Sequence, residues 1–315
     1  MRQVLFERYG GPEVLQVVDV SEPHADAGQV RIAARASSLA PGEMAIRSGL
    51  FANGNGDAFP YRTGHDAAGV VDEVGAGVTG VRIGDEVFGM GVSAGCGANS
   101  DFVVLSTWAH KPTVWTWAEA TVAAGASETS TRVLDQLIAG HGETIVINGA
   151  SGVVGTVATQ LAIARNCRVI GTAGENNQDY VRSLGATPVV YGEGLADRVK
   201  ALGVSRIDAV FDCAGKDVAS LVALTGDPAR VVTIADPRAG EYGVHLSHGA
   251  GPAQSAALGV PGDPPARHGL ALAAALAESR GLQVPVAATF PLSDVVSAAR
   301  ALQDRHLRGK IVLLN

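Results

Sequence analysis

Thr144-Ile145-Val146-Ile147-Asn148-Gly149-Ala150-Ser151-Gly152-Val153-Val154-Gly155 is the stretch on which the fold turns. Its first five residues make a short, continuous, mostly apolar run, the pattern of a strand buried on both faces. The next seven read Gly-x-x-Gly-x-x-Gly, and Val153, Val157, Leu161 and Ala164 then recur at helical spacing as far as Arg165. A strand that runs straight into such a turn and a helix gathers free backbone N–H groups and the positive end of the helix dipole at one point. A pyrophosphate fits there, with Gly152 allowing close approach and Gly155 letting the helix pack on the sheet. The plain alternative is a tight strand-to-helix turn that holds no ligand. The second strand that follows favours a dinucleotide.

Outward from this stretch, strand and helix alternate. Arg168–Thr172 reads as a strand, 178–184 as a helix, Thr187–Tyr191 as a strand and 196–202 as a helix, with further buried strands at 207–212 and 230–235. That interval makes right-handed βαβ units and a parallel, doubly wound Rossmann sheet. Upstream the texture differs. From Gly64 to Gly95, short β-rich runs alternate with glycine turns, as in a small antiparallel barrel. Downstream, 240–269 mixes glycine with proline and reads as an edge strand and a long loop. A helix near 268–280, a strand near Val284-Pro285-Val286, a helix at 292–303 and a closing strand at 310–314 complete the chain.

Composition narrows the function. The chain has 315 residues, 47% of them hydrophobic and 17% charged, which is too apolar for disorder and long enough for two domains. A net charge of −7 argues against a nucleic-acid or anionic-membrane surface, because either would need a basic face. The three cysteines, Cys96, Cys167 and Cys213, form no CxxC pair. This points away from a disulfide framework or a cysteine-rich zinc site and towards a reducing, cytoplasmic setting. Nothing resembles a membrane span, and Met1–Leu5 reads as a strand, not as a leader.

Cofactor choice is read at the end of the second strand. An acid there would bind the adenosine ribose and repel a 2′-phosphate. Here the strand ends in Thr172-Ala173-Gly174, neutral and small, followed by Glu175-Asn176-Asn177. The neutral donors suit NADPH; Glu175 is the residue that sits awkwardly with it.

Val146 to Gly155 resembles the cofactor signature of the zinc-independent medium-chain dehydrogenase/reductases, in their quinone oxidoreductase and enoyl reductase branch. The likeness extends along the chain through Phe6–Leu15, Ile46–Phe51, Gly64–Val71, Val81–Gly89 and Arg308–Leu313. It implies a GroES-like barrel domain, residues 1–121 plus 266–315, around an inserted Rossmann domain, 122–265, with the cofactor in the cleft between them. It further implies a homodimer through the edge strand near Val244, within Gly243–Ser247. By the same resemblance Thr129 binds the nicotinamide carboxamide, and Gly149, Ala150, Ser151, Gly152, Val153, Val154 and Gly155 form the pyrophosphate turn. Thr172, Asn177 and Tyr191 surround the 2′-phosphate, while Cys213, Ala214, Ile234 and Ala235 border the nicotinamide and its ribose. Relatives with a catalytic zinc use a cysteine, a histidine and a second cysteine; the corresponding positions are Ala40, His65 and about Gly125. One histidine cannot hold a tetrahedral metal that wants three protein ligands, so no metal is expected.

The departures bear on the substrate. Where the branch usually has Asn-Pro-x-Asp and then Tyr, this chain has Ala40-Pro41-Gly42-Glu43 and then Ala45, and Asn99 stands where an aromatic is common. Two polar groups have become methyls, which enlarges a pocket formed by Ala40, Ala45, His65 and Asn99. Without a metal, the chemistry must suit a hydride and an acceptor that is already activated, such as a quinone or an α,β-unsaturated carbonyl, a bulky biosynthetic intermediate among the candidates. Arg47, His65 and Ser130 are the candidate oxyanion or proton donors. Two rival readings are an NADPH-binding protein without catalysis and a redox-neutral, cyclase-like enzyme that uses the same pocket.

Overall fold

A computed structural model describes residues 1–50, 59–91, 97–249, 255, 259–303 and 307–315. Phe51, Cys96 and most of the expected loop between 250 and 258 lie outside the described residues. The chain forms two compact units, Met1–Gly125 with Leu270–Asn315, and Ala126–Gly269. Both divisions run through helices, α2 (Trp117–Gln136) and α7 (His268–Arg280), a few residues beyond 121/122 and 265/266. A continuous helix carries no turn residue to mark such a division in sequence.

In the first unit, β3 (Val30–Leu39) pairs antiparallel with β5 (Asp66–Val74), β5 with β6 (Glu86–Gly91), and β6 with β7 (Phe102–His110). β7 then returns to Val30–Ala33 of β3, so these four strands close on themselves. Register shifts in β3 at Arg31/Ile32 and Ala34/Ala36 bend it enough to serve both neighbours. Val30, Ile32, Ala67, Val71, Val87 and Leu105 fill the interior. A second core, with Phe6, Leu39, Val295, Ile311 and Leu313, lies under β14 (Val286–Pro291), β15 (Lys310–Leu314) and α8 (Val295–Ala301). β1 (Arg2–Phe6) pairs with β2 (Gln16–Asp19) and β4 (Tyr61–Arg62) as a separate small sheet. The strand expected at Val284–Val286 begins only at Val286. Pro285 has no N–H for a ladder and contributes only its carbonyl, to Lys310 N–H.

The second unit is a six-stranded sheet, parallel throughout. It contains β8 (Thr144–Asn148), β9 (Arg168–Ala173), β10 (Thr187–Val190), β11 (Ala209–Asp212), β12 (Val231–Thr233) and β13 (His245–Leu246). Its order, β10-β9-β8-β11-β12-β13, reverses between β8 and β11, the switch point where doubly wound sheets bind ligands beyond their strand ends. The crossovers are α3 (Val153–Ala164), α4 (Gln178–Ser183), α5 (Leu195–Lys200) and α6 (Val218–Thr225). α3 stops at Asn166, whose φ of 61° breaks the helix while Cys167 N–H returns to the Ala162 carbonyl. Val146, Ile170, Val189, Val210, Leu221 and Val231 form one buried cluster, as their near-continuous apolar runs require. Val244, expected on an edge strand, packs into that cluster just before β13.

Candidate functional site

The turn after β8 is shaped by its own backbone. Gly149 sits at φ 86°, and its N–H donates to Thr172 Oγ1 at 3.0 Å; Ala150 N–H donates to the Thr172 carbonyl at 2.9 Å. A methyl on Gly155 would overlap the Gly149 carbonyl oxygen, so α3 can pack this close only with glycine there. Gly152 differs. It is exposed, it caps α3 in an extended conformation without a side chain, and the nearest atom to a β-carbon placed there is the Gly149 carbonyl oxygen at 3.4 Å. Space therefore opens beside the uncapped first turn of a 12-residue helix, the place a pyrophosphate takes. Ser151, Gly152, Val153 and Val154 reach the surface of this turn, whereas Ala150 and Gly155 are buried behind it.

A buried polar chain ties the strand ends together. Thr172 Oγ1 donates to Asn148 Oδ1 (2.6 Å), and Asn148 Nδ2 donates to Asp212 Oδ1 (2.8 Å). Asp212 also accepts from Thr233 Oγ1 (2.7 Å) and from the N–H groups of Ala214 (2.9 Å) and Gly215 (3.2 Å). The chain thus crosses β9, β8, β11 and β12 and fixes the loops that leave them. Ala214 and Ala235 are exposed at the ends of β11 and β12, Ile234 and Cys213 are half-buried, and burial pushes the Cys213 thiol well up, leaving it neutral. At the other side of the sheet Tyr191, 60% exposed, lies over Gly174, 3.5 Å from where a β-carbon would stand. Asn177, half-buried, precedes α4, and its N–H closes a turn onto the Gly174 carbonyl.

Two expectations for this unit need correction. Thr172 is fully buried, with its hydroxyl engaged by Asn148 and Gly149, so it builds the turn and does not face a 2′-phosphate. Ser130 is buried too and donates to the Val154 carbonyl at 3.2 Å, which holds the first turn of α3 and removes Ser130 as a donor to substrate. Thr129 is half-buried, donating to Glu128 Oε2 (3.2 Å) beside the Glu128–Arg132 ion pair.

The first unit brings charges together around Asp66. This buried carboxylate is in ion contact with Lys310 on β15, accepts from Ser38 Oγ on β3 (3.3 Å) and faces His65 Nδ1 at 3.5 Å. Burial opposes its ionisation, but Lys310 and His65 prevail and hold it well below the usual carboxylate range. For His65, burial disfavours the proton, yet the bond to Asp66 wins and raises its pKa, and its side chain stays 41% exposed. Glu43 closes the cluster through α1 (Pro41–Arg47), accepting from the N–H groups of Ala40 (3.0 Å) and Gly64; its pKa is raised chiefly by burial. Sequence reasoning placed His65 but missed Lys310, because 244 residues separate it from Asp66.

Of the expected pocket residues, Ala40 and Ala45 are half-buried, whereas Asn99 is fully buried. Asn99 donates to Thr63 Oγ1 (2.9 Å) and packs behind Gly64, so it supports the His65 loop and does not line an open pocket. Arg47 is only 4% exposed, in a niche with Leu15, Leu39 and Met44, and burial lowers its pKa. It is enclosed by packing where an open donor was expected. Among the described residues there is no group of three His, Cys, Asp or Glu placed to hold a metal ion.

Residues 26–129 match the alcohol dehydrogenase GroES-like domain and residues 184–313 match the zinc-binding dehydrogenase family. The quinone oxidoreductase of Rattus norvegicus is 31% identical over 241 residues, 74% of this chain and 73% of that protein. Among solved structures, the quinone oxidoreductase from Coxiella burnetii aligns at TM-score 0.78 with 26% identity over 100% of this chain and 99% of that one. A mycobacterial protein complexed with NADPH aligns at 0.76 with 25% identity over 100% of both chains. A parallel Rossmann sheet with a glycine turn, together with a closed GroES-like barrel, defines an oxidoreductase of the medium-chain dehydrogenase/reductase class. Within that class the chain belongs to the quinone oxidoreductase family.

Proposed function

We propose that this protein is an NADPH-dependent reductase that delivers hydride, without a metal, to a quinone or an α,β-unsaturated carbonyl. The observation that carries the reading is the open space beside Gly152 at the uncapped start of α3, on the switch point of the sheet. The bound dihydronicotinamide supplies the hydride. Gly152, Val153 and Val154 offer N–H groups to the pyrophosphate, and Tyr191 and Asn177 border the adenosine end. Ala214, Ile234, Ala235 and Cys213 leave room for the nicotinamide ribose, and Thr129 orients the carboxamide. Ala40, His65 and Gly125 stand where zinc-dependent relatives carry ligands, and Asp66 beside His65 is already neutralised by Lys310, which supports metal-free chemistry.

Of the three candidate donors only His65 has an exposed side chain, and its pKa is raised by Asp66, so we assign it the proton that quenches the reduced acceptor. Ala40 and Ala45 favour a bulky or apolar acceptor. A cytoplasmic homodimer paired through β13 fits the scattered cysteines and the edge position of that strand.

Stopped-flow oxidation of NADPH against a panel of quinones, enones and enoyl thioesters tests the activity. Turnover is expected with at least one class. Its rate should fall as pH rises through the raised pKa of His65, and His65→Gln should flatten that profile. Measurable NADPH binding with no oxidation by any acceptor would overturn the reductase reading.

A further inference from the structure

The loop that leaves β10 at the end of the sheet is held by a single side chain. Arg198 on α5 donates from Nε to the Val190 carbonyl (3.0 Å) and from Nη1 to that of Glu193 (2.8 Å). Its Nη2 donates to the carbonyls of Tyr191 (3.3 Å) and Gly192 (3.0 Å). Four consecutive carbonyls thus converge on one guanidinium, an arrangement that its rigid fork of five donors permits. All these partners are neutral. In the same unit Arg182 and Arg206 are paired with Asp179 and Asp208, but no ion pair of Arg198 is found among the described residues. The positive charge therefore stays uncompensated, partly buried beneath the loop that carries Tyr191.

That loop lies against the end of β9: Tyr191 covers Gly174, directly before the exposed Glu175. The end of the second strand is where a Rossmann sheet reads the adenosine ribose. An acid there selects the free hydroxyl, and a nearby arginine accommodates a 2′-phosphate. Glu175 alone would select against a phosphate, and the fold places Arg198 of α5 beneath the Tyr191 loop that lies against Gly174.

We propose that Arg198 is the residue that sets cofactor specificity. It positions the Tyr191 loop and offsets Glu175 with positive charge, so that the 2′-phosphorylated dinucleotide is preferred. This rests on the dinucleotide reading of the site, and the test separates the two.

Titration of the wild-type protein, Arg198→Lys and Arg198→Met with NADPH and with NADH, by quenching of protein fluorescence, measures the preference. Thermal unfolding confirms that each variant is folded. The wild type should prefer NADPH, and Arg198→Met should lose about tenfold of that preference, the scale of one charge acting on a phosphate near a protein surface. Arg198→Lys keeps the charge but cannot reach four carbonyls. It should weaken both cofactors similarly while retaining most of the ratio. If both variants lower the two affinities in equal proportion, or Arg198→Met leaves the ratio unmoved, Arg198 is a structural clamp and the proposal fails. If the wild type binds neither dinucleotide, the reading of the site as a cofactor site fails first.

Discussion

Gly152 and Gly155 share one turn but answer to different constraints, and substitution should separate them. An alanine at 155 puts its methyl into the Gly149 carbonyl, so α3 must move off the sheet. Gly155→Ala is expected to lose about 1–3 kcal/mol of stability, the usual scale of overpacking, and its dinucleotide affinity with it. Gly152 has an ordinary negative φ of −75° and open space ahead of it. Gly152→Ala should melt close to the wild type yet bind NADPH at least tenfold more weakly, because the methyl occupies the approach of the pyrophosphate. Urea unfolding and NADPH titration of the two variants check this, and equal loss of affinity without any stability difference would contradict it. The motif itself was legible because glycine spacing is local. The packing role of Gly155 was legible with it, as the close approach of Gly149 bears out. The roles of Thr172 and Ser130 were not, because one side chain's direction depends on partners far along the chain.

At the scale of elements, the Thr172–Asn148–Asp212–Thr233 chain makes four strand ends behave as one platform. Asp212 is its centre, receiving Asn148, Thr233 and two backbone N–H groups. Asp212→Ala leaves those donors buried without an acceptor, at about 1–3 kcal/mol for each group that water cannot reach. The expected outcome is a loss of several kcal/mol in urea unfolding together with loss of cofactor binding. Asn148→Asp adds a second carboxylate beside Asp212 and should be nearly as harmful. Destabilisation no larger than that of an exposed aspartate would show that the platform is not cooperative. The strands themselves were readable, because parallel strands buried on both faces are written as short apolar runs. Their ends were read one or two residues too long at 207–212 and 230–235. Apolar character continues outside the paired residues, since Ile207 before β11 is buried and Ile234 after β12 is half-buried.

At the scale of the whole molecule, two separately cored units and an open sheet edge set the expectations. β13 is two residues long and lies at the end of the six-stranded sheet. His248 beyond it exchanges hydrogen bonds with Asp263: Asp263 N–H donates to the His248 carbonyl and His248 N–H to the Asp263 carboxylate. The edge left for a second copy is therefore short and bounded. A dimer paired there should dissociate at low protein concentration, and Leu246→Pro, which removes an edge N–H, should shift sedimentation towards the monomer. A mass that stays monomeric at high concentration, or a dimer indifferent to that substitution, would place any interface elsewhere.

The order of secondary-structure elements, the two kinds of sheet, the glycine turn and the absence of zinc-ligand types at Ala40 and Gly125 all follow from residues close together in the chain. Periodicity and turn chemistry act over a few positions, and such signals survive in the sequence. The Lys310–Asp66–His65 cluster, the burial of Asn99 and Arg47, and the fork of Arg198 beneath the Tyr191 loop belong to the tertiary structure alone. Each depends on which side chains meet after packing, and the electrostatics that tune a site depend on those meetings, not on spacing along the chain.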